Sequence, residues 1–346
     1  MVAPLNWGLG HATRCIPIIQ NLELQGYIPI LASDGMALEL LKKEFPHLVT
    51  LELPSYRIKY PKNGSYFQLK MLQNLPNIFS AINSERKLVA DWNNEYRFAG
   101  IISDNRAGVH LKNVPSVYIT HQIKVLSGFT TTISSFLHRK TISKFDECWI
   151  PDFKDSPNLS FELGHSSVNN IRQKFIGTIS RLKKSTLPQV WDLMIILSGP
   201  EPQRGILEDI LRKEIQRYNG KVLFVQGNIS ATQEMVVTDN VTFYNFMTTN
   251  QLEKSINQSG LILCRSGYTS VMDLVEVGKM CFFIPTPGQY EQEYLAHQYD
   301  KNKYAPFSKQ ADFKIEDLKQ VENYKGFPQT ENLPNWKELF RLFDSE

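Results

Sequence analysis

The chain of 346 residues predicts an α/β architecture of two domains, each a parallel sheet wrapped by helices. Short β-branched runs alternate with longer amphipathic stretches, which is the rhythm of βαβ units. That rhythm restarts midway, after a stretch from Thr178 to Gln189 that carries Ser, Lys, Thr and Pro and little apolar periodicity. Domains of roughly 100–200 residues are usual, so the length suits two cores. The expected division is residues 1–177, a linker over 178–189, a second domain over 190–325 and a helical tail over 326–346.

In the first half, Val2–Leu5 reads as a strand and residues 12–25 as a helix closed by Gly26. Ile28–Ala32 is a strand, Asp34 is placed to N-cap a helix running to Phe45, and Leu48–Leu53 is a strand. Residues 55–78 are rich in Tyr, Lys, Pro and Asn and show no clear strand. Further strands are Ala99–Ser103, Ser116–Thr120, Glu147–Ile150 and Lys174–Ile176. In the second half, strands are expected at Leu193–Leu197, Val222–Val225, Val241–Tyr244, Leu261–Cys264 and Cys281–Ile284. Helices are expected at Arg204–Tyr218, Gln251–Asn257, Thr269–Val277 (ended by Gly278) and Glu291–Lys301. Trp336, Leu339, Phe340 and Phe343 recur at helical spacing and predict a tail helix docked on one of the domains.

The composition is that of an ordinary globular protein, with 42% hydrophobic and 21% charged residues. A net charge of +3, from 38 basic and 35 acidic side chains, is too balanced for a nucleic-acid footprint. Cys15, Cys148, Cys264 and Cys281 lie in apolar contexts with no metal or disulfide spacing, so they read as buried, reduced thiols. The N-terminus shows no signal-peptide pattern, and no apolar run approaches the roughly 20 residues of a membrane helix. A soluble, cytoplasmic protein is expected.

Four motifs carry chemistry. Gly8-Leu9-Gly10-His11-Ala12-Thr13-Arg14 lies between a strand and a helix, where glycines permit a tight turn and a helix N-terminus favours anions. A dinucleotide fingerprint needs a third glycine where Thr13 stands, although Asp34 sits near the acidic position such a motif expects. That alternative leaves His11 unexplained, at a sheet edge where α/β proteins place ligands and in a position to act as a general base. The second motif is Ser198-Gly199-Pro200-Glu201-Pro202-Gln203-Arg204, another turn opening a helix, in which Arg204 is a candidate phosphate contact. The third, Cys264-Arg265-Ser266-Gly267-Tyr268-Thr269-Ser270, clusters hydroxyls and backbone N–H groups at a helix start, with Asp273 one turn further in and able to accept from two ribose hydroxyls. The fourth, Gly288-Gln289-Tyr290-Glu291-Gln292-Glu293, offers the donors and acceptors that sugar hydroxyls require. Alone, the second reads better as an ordinary βα turn, and the third and fourth read as a capping box or solvated helix start; their joint appearance at the strand ends of one sheet favours a site.

Together these blocks resemble GT-B glycosyltransferases of family 28, the superfamily of the MurG-type N-acetylglucosaminyltransferase. The third motif with Asp273, Gly278 and Phe282-Phe283-Ile284-Pro285 is the strongest match, and Glu291-Gln292-Glu293-Tyr294 resembles the next donor-binding block. The first loop looks like the G-x-G-H-x-x-R loop of a less-characterised branch, as do Asp104, Thr120-His121-Gln122 and Asn158-Leu159-Ser160. The resemblance implies two Rossmann-like domains facing each other across a cleft. It implies a metal-independent, cofactor-free transfer from a nucleotide-sugar, usually a UDP-sugar such as UDP-N-acetylglucosamine, to an acceptor hydroxyl. It makes His11 the base, counts Asp104 as catalytic and lining the acceptor side with His121, and sets Gly10 and Arg14 on that side as well. It gives Ser266, Gly267 and Thr269 to the diphosphate or sugar, Asp273 to the ribose, Gln289, Glu291 and Gln292 to the donor sugar, and counts Ser198, Gly199, Arg204 and Arg265 among the donor contacts. The chain departs from the pattern in having Asp273 where a glutamate is usual, a Ser-Gly-Pro-Glu-Pro turn in place of a Gly-rich one, and a short first strand, which suggests a start downstream of the true one or a clipped sheet edge.

Two other functions fit the same fold: a UDP-sugar 2-epimerase, and a non-catalytic sugar-nucleotide or glycan-binding protein. The acceptor is read from little. Tyr56–Ile78 mixes Tyr60, Tyr66, Phe67, Leu69, Met71 and Leu72 with Lys59, Lys62 and Lys70, a surface that suits a membrane-associated acceptor such as a polyprenyl-linked sugar. Simple packing of this excursion onto the first domain is the favoured reading.

Overall fold

The computed structural model describes residues 1–56, 67–166, 172–228, 232–328 and 334–344, with the helix over 67–75 described by its backbone alone. The Tyr- and Lys-rich stretch over 57–66 and the side chains of 67–75 lie outside the described residues. The chain divides into two compact units, with the boundary between Ile179 and Ser180 and the C-terminal segment returning to the first unit.

The first unit is a seven-stranded, all-parallel sheet. Its strands are β1 (Val2–Pro4), β2 (Leu31–Ser33), β3 (Thr50–Glu52), β4 (Ile101–Asp104), β5 (Ser116–Ile119), β6 (Glu147–Ile150) and β7 (Gln173–Phe175). They lie in the order β3-β2-β1-β4-β5-β6-β7. β1, β4, β5 and β6 are buried along their whole length, as central parallel strands covered on both faces must be. The helices are α1 (Gly10–Leu24), α2 (Gly35–Glu44), α3 (Phe67–Tyr96) and α4 (Thr131–Ile142). The second unit is a six-stranded sheet in the order β10-β11-β9-β8-β12-β13. Its strands are β8 (Trp191–Ile196), β9 (Val222–Val225), β10 (Met235–Thr238), β11 (Val241–Tyr244), β12 (Ser259–Cys264) and β13 (Cys281–Phe283), and its helices are α5 (Gln203–Glu214), α6 (Thr249–Asn257), α7 (Tyr268–Val277) and α8 (Tyr290–Lys301). All pairs are parallel except β10–β11, an antiparallel hairpin turned at Asp239, whose φ is 50°.

Three elements escaped the sequence pattern. α3 carries Pro76 and many polar residues, so its period is weak. α4 buries only Ser135 and Ile142. β10 is exposed along its length at the sheet edge and lacks an alternating pattern. Asp34 occupies the N-cap position of α2, but its side chain does not cap; its carboxylate is drawn to Arg106. The four cysteines are free and buried. Among the described residues no helix is long and apolar enough to cross a membrane.

The tail helix, α9 (Trp336–Phe340), packs on the first unit's main core, which includes Val2, Ile16, Ile19, Ile102, Ile119 and Trp149. Phe340 is buried there, with ring centroids 6.1 Å from Tyr27, 6.2 Å from Trp149 and 5.7 Å from Trp336. Emptying this position leaves a cavity walled by rigid aromatics. Phe340→Ala is expected to cost about 3–5 kcal/mol, read from urea unfolding of the first unit by tryptophan fluorescence. A loss under about 1 kcal/mol would mean that the tail only lies on the surface.

Candidate active site

Both sheets place their chemistry where strand order reverses. In the first unit the chain runs from β1 outward to β2 and β3, then returns to β4 on the other side of β1. Loops leaving β1 and β4 therefore diverge, and ligands of open α/β sheets bind at such points, beyond the strands' C-terminal ends. Pro4 and Asp104, the last residues of β1 and β4, are paired in register. Gly8 turns the loop with φ 73°, a conformation that L side chains rarely adopt, and α1 begins at Gly10. His11 and Arg14, three residues apart and so on one helix face, both point at Asp104.

Asp104 is the hub. Its Oδ1 lies 2.8 Å from His11 Nδ1 and accepts from Arg14 Nη2, while its Oδ2 accepts from Arg14 Nε at 2.5 Å. Arg14 Nη2 also lies 3.0 Å from His11 Nδ1, and Arg14 Nη1 lies 3.3 Å from Nδ1 of His121, which follows β5. Asp104 and Arg14 are sealed from solvent, while the His11 side chain retains 15% of its exposure. Burial by itself pushes the Asp104 carboxyl up, but the charges of Arg14 and then His11 outweigh it and hold the carboxyl well below its ordinary range. Burial, with Arg14 and His121 nearby, lowers His11 from 6.5, against the opposing pull of Asp104. The structure thus brings together His11, Asp104, Arg14 and His121, with Gly10 in the same turn, where its carbonyl accepts from the Thr13 hydroxyl at 3.0 Å.

Two unforeseen networks brace this group. Buried Arg106 donates to the Asp34 carboxylate, to Glu85 Oε1 at 2.7 Å and to the Pro4 carbonyl at 3.0 Å. Glu85 Oε2 also accepts from Tyr56 at 2.8 Å. Asp34 is therefore a counter-ion, which removes the acceptor that a dinucleotide ribose would need. Asp152 accepts from the Phe153, Leu159 and Ser160 amides, each at 2.8 Å, from the Ser160 hydroxyl, and from His165 Nε2 at 3.1 Å. The loop it knots returns Leu163, whose carbonyl accepts from Ile123 and Lys124 just beyond His121. The polar run Ser103-Asp104-Asn105-Arg106 at a strand end was the one sequence signal of the first network.

In the second unit the reversal falls between β8 and β12, and the third and fourth motifs follow neighbouring strands, with Cys264 paired to Phe283. Gly267 N-caps α7 with no side-chain cap, so hydroxyl-bearing residues and main-chain N–H groups gather at that helix start. The Ser266 hydroxyl donates to the Gln292 carbonyl at 2.8 Å, tying α7 to α8. Gln289 caps α8 by accepting from the Gln292 amide at 2.8 Å, and Gln292 Oε1 accepts from the Thr286 amide at 2.9 Å. Thr269 and Glu291 lie half-buried in the first turns of α7 and α8. Asp273 accepts from the Ser180 hydroxyl at 2.5 Å, and burial raises its carboxyl to about 6. Ser198 and Gly199 form an exposed turn after β8 in which Gly199 takes φ 102°.

Two arginines sit differently from expectation. Arg265, expected at the donor, is buried beneath the loop and donates to the carbonyls of Ile284, Pro285 and Gln203 and to Gln310. It is a strut that ties three segments together, since an arginine in this interior needs every acceptor it can reach. Arg204, expected at a phosphate, pairs with Glu201 and with Glu208 at 2.7 Å, so its charge is already answered. Among the described residues no three His, Cys, Asp or Glu side chains gather as a metal site requires.

Two parallel-sheet α/β units, each with its loops at a strand-order reversal, make up the GT-B architecture of glycosyltransferases. Residues 204–332 match the glycosyltransferase family 28 C-terminal domain. The chain is similar to two bacterial proteins named UDP-N-acetylglucosamine–N-acetylmuramyl-(pentapeptide) pyrophosphoryl-undecaprenol N-acetylglucosamine transferase. With the Haemophilus ducreyi protein it is 22% identical, over 61% of this chain and 58% of that protein. With the Pasteurella multocida protein it is 21% identical, over 84% of this chain and 78% of that one. The fold resembles that of the glycosyltransferase SnogD from Streptomyces nogalater, with a TM-score of 0.62, 11% identity and 99% of each chain covered. The second unit is thus similar to the family 28 C-terminal domain, on a fold shared with glycosyltransferases, and the chain spans less than two thirds of the length of the first of these relatives.

The buried pair at Asp104 yields a direct test. Asp104→Asn leaves Arg14 charged in the interior, an expected loss of about 3 kcal/mol or more. Because the folded carboxyl titrates below its unfolded value, its stabilisation is complete above about pH 4 and drains away as pH falls further. The variant's acid-unfolding curve is therefore expected to flatten below about pH 4 relative to the parent; curves that stay parallel would show that Asp104 is not ionised and paired in the fold.

Proposed function

We propose that this protein transfers a sugar, with inversion, from a UDP-sugar such as UDP-N-acetylglucosamine to an acceptor hydroxyl activated in the first unit. The observation that carries the reading is the 2.8 Å contact between His11 Nδ1 and Asp104. An ionised carboxylate only accepts, so Nδ1 carries the proton and Nε2 keeps its lone pair for substrate. Nε2 then takes the acceptor's proton as that oxygen attacks the anomeric carbon. The bond to the nucleotide diphosphate breaks, and its electrons leave with the diphosphate. Asp104 steadies the imidazolium that forms, as the acid partner of a catalytic histidine does.

The donor is assigned to the second unit. The N-terminus of α7, which no side chain caps at Gly267, is assigned to the diphosphate together with Ser266 and Thr269, because negative charge grows there as the bond breaks. Asp273 is assigned to the ribose, and Gln289, Glu291 and Gln292 to the sugar, with Ser198 and Gly199 in the neighbouring turn. Support comes from the family 28 match over this region and from the donor named in the two relatives. Those relatives also name an undecaprenol-linked acceptor. A lipid-linked or glycan acceptor, met by a cytoplasmic protein at a membrane surface, is the corresponding reading here, with Gly10, Arg14 and His121 on its side.

His11→Gln is expected to lower turnover by about 10²–10⁴-fold while leaving UDP binding intact. A base works only when neutral, so activity rises with pH through its pKa, and burial sets the midpoint of the acid limb of kcat/KM below 6.5. UDP is expected to raise the melting temperature and NAD to leave it unchanged. A variant as active as the parent would remove His11 from the mechanism, and stabilisation by NAD instead of UDP would remove the donor assignment.

A further inference from the structure

Ser180 is the first residue after the boundary between the units, in a stretch whose composition predicts a linker. The chain there is tied down instead. Thr249, Glu253 and Asn257 recur every four residues and so share one face of α6. Along that face the Thr249 hydroxyl accepts from Arg181 Nη1 at 3.0 Å, Glu253 Oε2 from the Lys183 amide at 2.8 Å, and Asn257 Oδ1 from the Ser185 amide at 2.9 Å. Asn257 Nδ2 returns a bond to the Lys183 carbonyl at 2.9 Å, and Leu182 is buried.

This strap fixes the Ser180 hydroxyl. Its oxygen accepts from the Leu182 amide at 3.0 Å, which turns its proton toward Asp273 Oδ1, 2.5 Å away. Among the described residues, Ser180 is the one side chain that hydrogen-bonds to the Asp273 carboxylate. A carboxylate that grips two neighbouring hydroxyls offers one oxygen to each. Asp273 has Oδ1 engaged and Oδ2 open. For a ribose to take both oxygens, Ser180 would have to give way, and the bonds from Arg181, Lys183 and Ser185 to α6 hold it in place. An aspartate, with a single methylene, also has little reach with which to turn its carboxylate toward a second hydroxyl.

We propose that Asp273 reads one hydroxyl of the donor's ribose and not two, because Ser180 holds its other oxygen. Ser180 is then a specificity-determining residue of the donor site. The site takes a nucleoside diphosphate lacking the unread hydroxyl nearly as well as it takes the full ribonucleotide. This inference rests on the assignment of Asp273 to the ribose; what it adds is that half of the carboxylate is spoken for before the donor arrives.

The test is calorimetric binding of UDP, 2′-deoxy-UDP and 3′-deoxy-UDP to the full chain. One deoxynucleotide is expected to bind the parent within about threefold of UDP and the other about tenfold or more weakly, the usual worth of a hydrogen bond to a charged group. Ser180→Ala frees Oδ1, so this variant is expected to bind UDP more tightly and to lose about tenfold when either hydroxyl is removed. A parent that loses tenfold with both deoxynucleotides, or with neither, would overturn the proposal. So would a folded Ser180→Ala variant that keeps the parent's pattern. UDP binding unchanged in Asp273→Asn would remove the ribose assignment and this inference with it. Absence of UDP binding in the parent would remove the donor reading itself, so the three failures are told apart.

Discussion

The pairing of Asp104 with Arg14 in the dry interior of the first unit is the constraint on which its site depends. Removing either charge from water costs several kcal/mol, and only close, multiply bonded partners offset that. Arg14 supplies two bonds to Asp104, through Nε and Nη2. The pair fixes α1 against the end of β4 and so sets the height at which His11 stands. It also leaves Asp104 Oδ1 shared between Arg14 and His11. Held ionised by Arg14, the carboxylate keeps accepting from the histidine ring, while burial and the same arginine disfavour the imidazolium. The opposing effects yield a neutral histidine with a fixed tautomer, which is what a base needs before it meets its proton.

The second unit solves a different problem. An anionic ligand needs donors whose charge is not already answered by a neighbour. Arg204 fails that requirement because Glu201 and Glu208 hold it, and Arg265 fails it because carbonyls surround it. What the helix starts offer instead is main-chain N–H with the helix dipole behind it, beside hydroxyl and amide side chains that tie the two loops together. The proposed diphosphate would meet such groups without an ion pair having to break first. Arg265 contributes indirectly, holding the β12 and β13 loops to the start of α5 so that those N–H groups stay in place.

Much of this was legible in the sequence because it is written in backbone-level signals. The glycines at 8 and 10, the strand-ending Asp104 and the hydroxyl cluster at 266–270 mark strand-to-helix turns, and within each sheet the alternation of strands and helices places such turns at the strands' C-terminal ends. Charge partners were not legible, because they join residues far apart in the chain: Arg106 finds Glu85 and Asp34, and Arg14 finds Asp104. An arginine in a motif reads as a ligand contact until its counter-ions are known, which is why Arg204 and Arg265 were expected at the donor. α4 was missed for the opposite reason. Its apolar residues do repeat at helical spacing, but they face outward, and neither a core nor a polar face organises the pattern.

His11 can serve as the base only if the right ring nitrogen bears the proton, and nitrogen-15 NMR of the labelled imidazole reads that directly. At neutral pH the expected spectrum shows a protonated Nδ1 bound to Asp104 and an unprotonated Nε2, with the ring taking up a second proton only below pH 6.5. A protonated Nε2 with Nδ1 accepting from Arg14, or a ring already doubly protonated at neutral pH, would contradict it, because neither form presents a base to an acceptor hydroxyl.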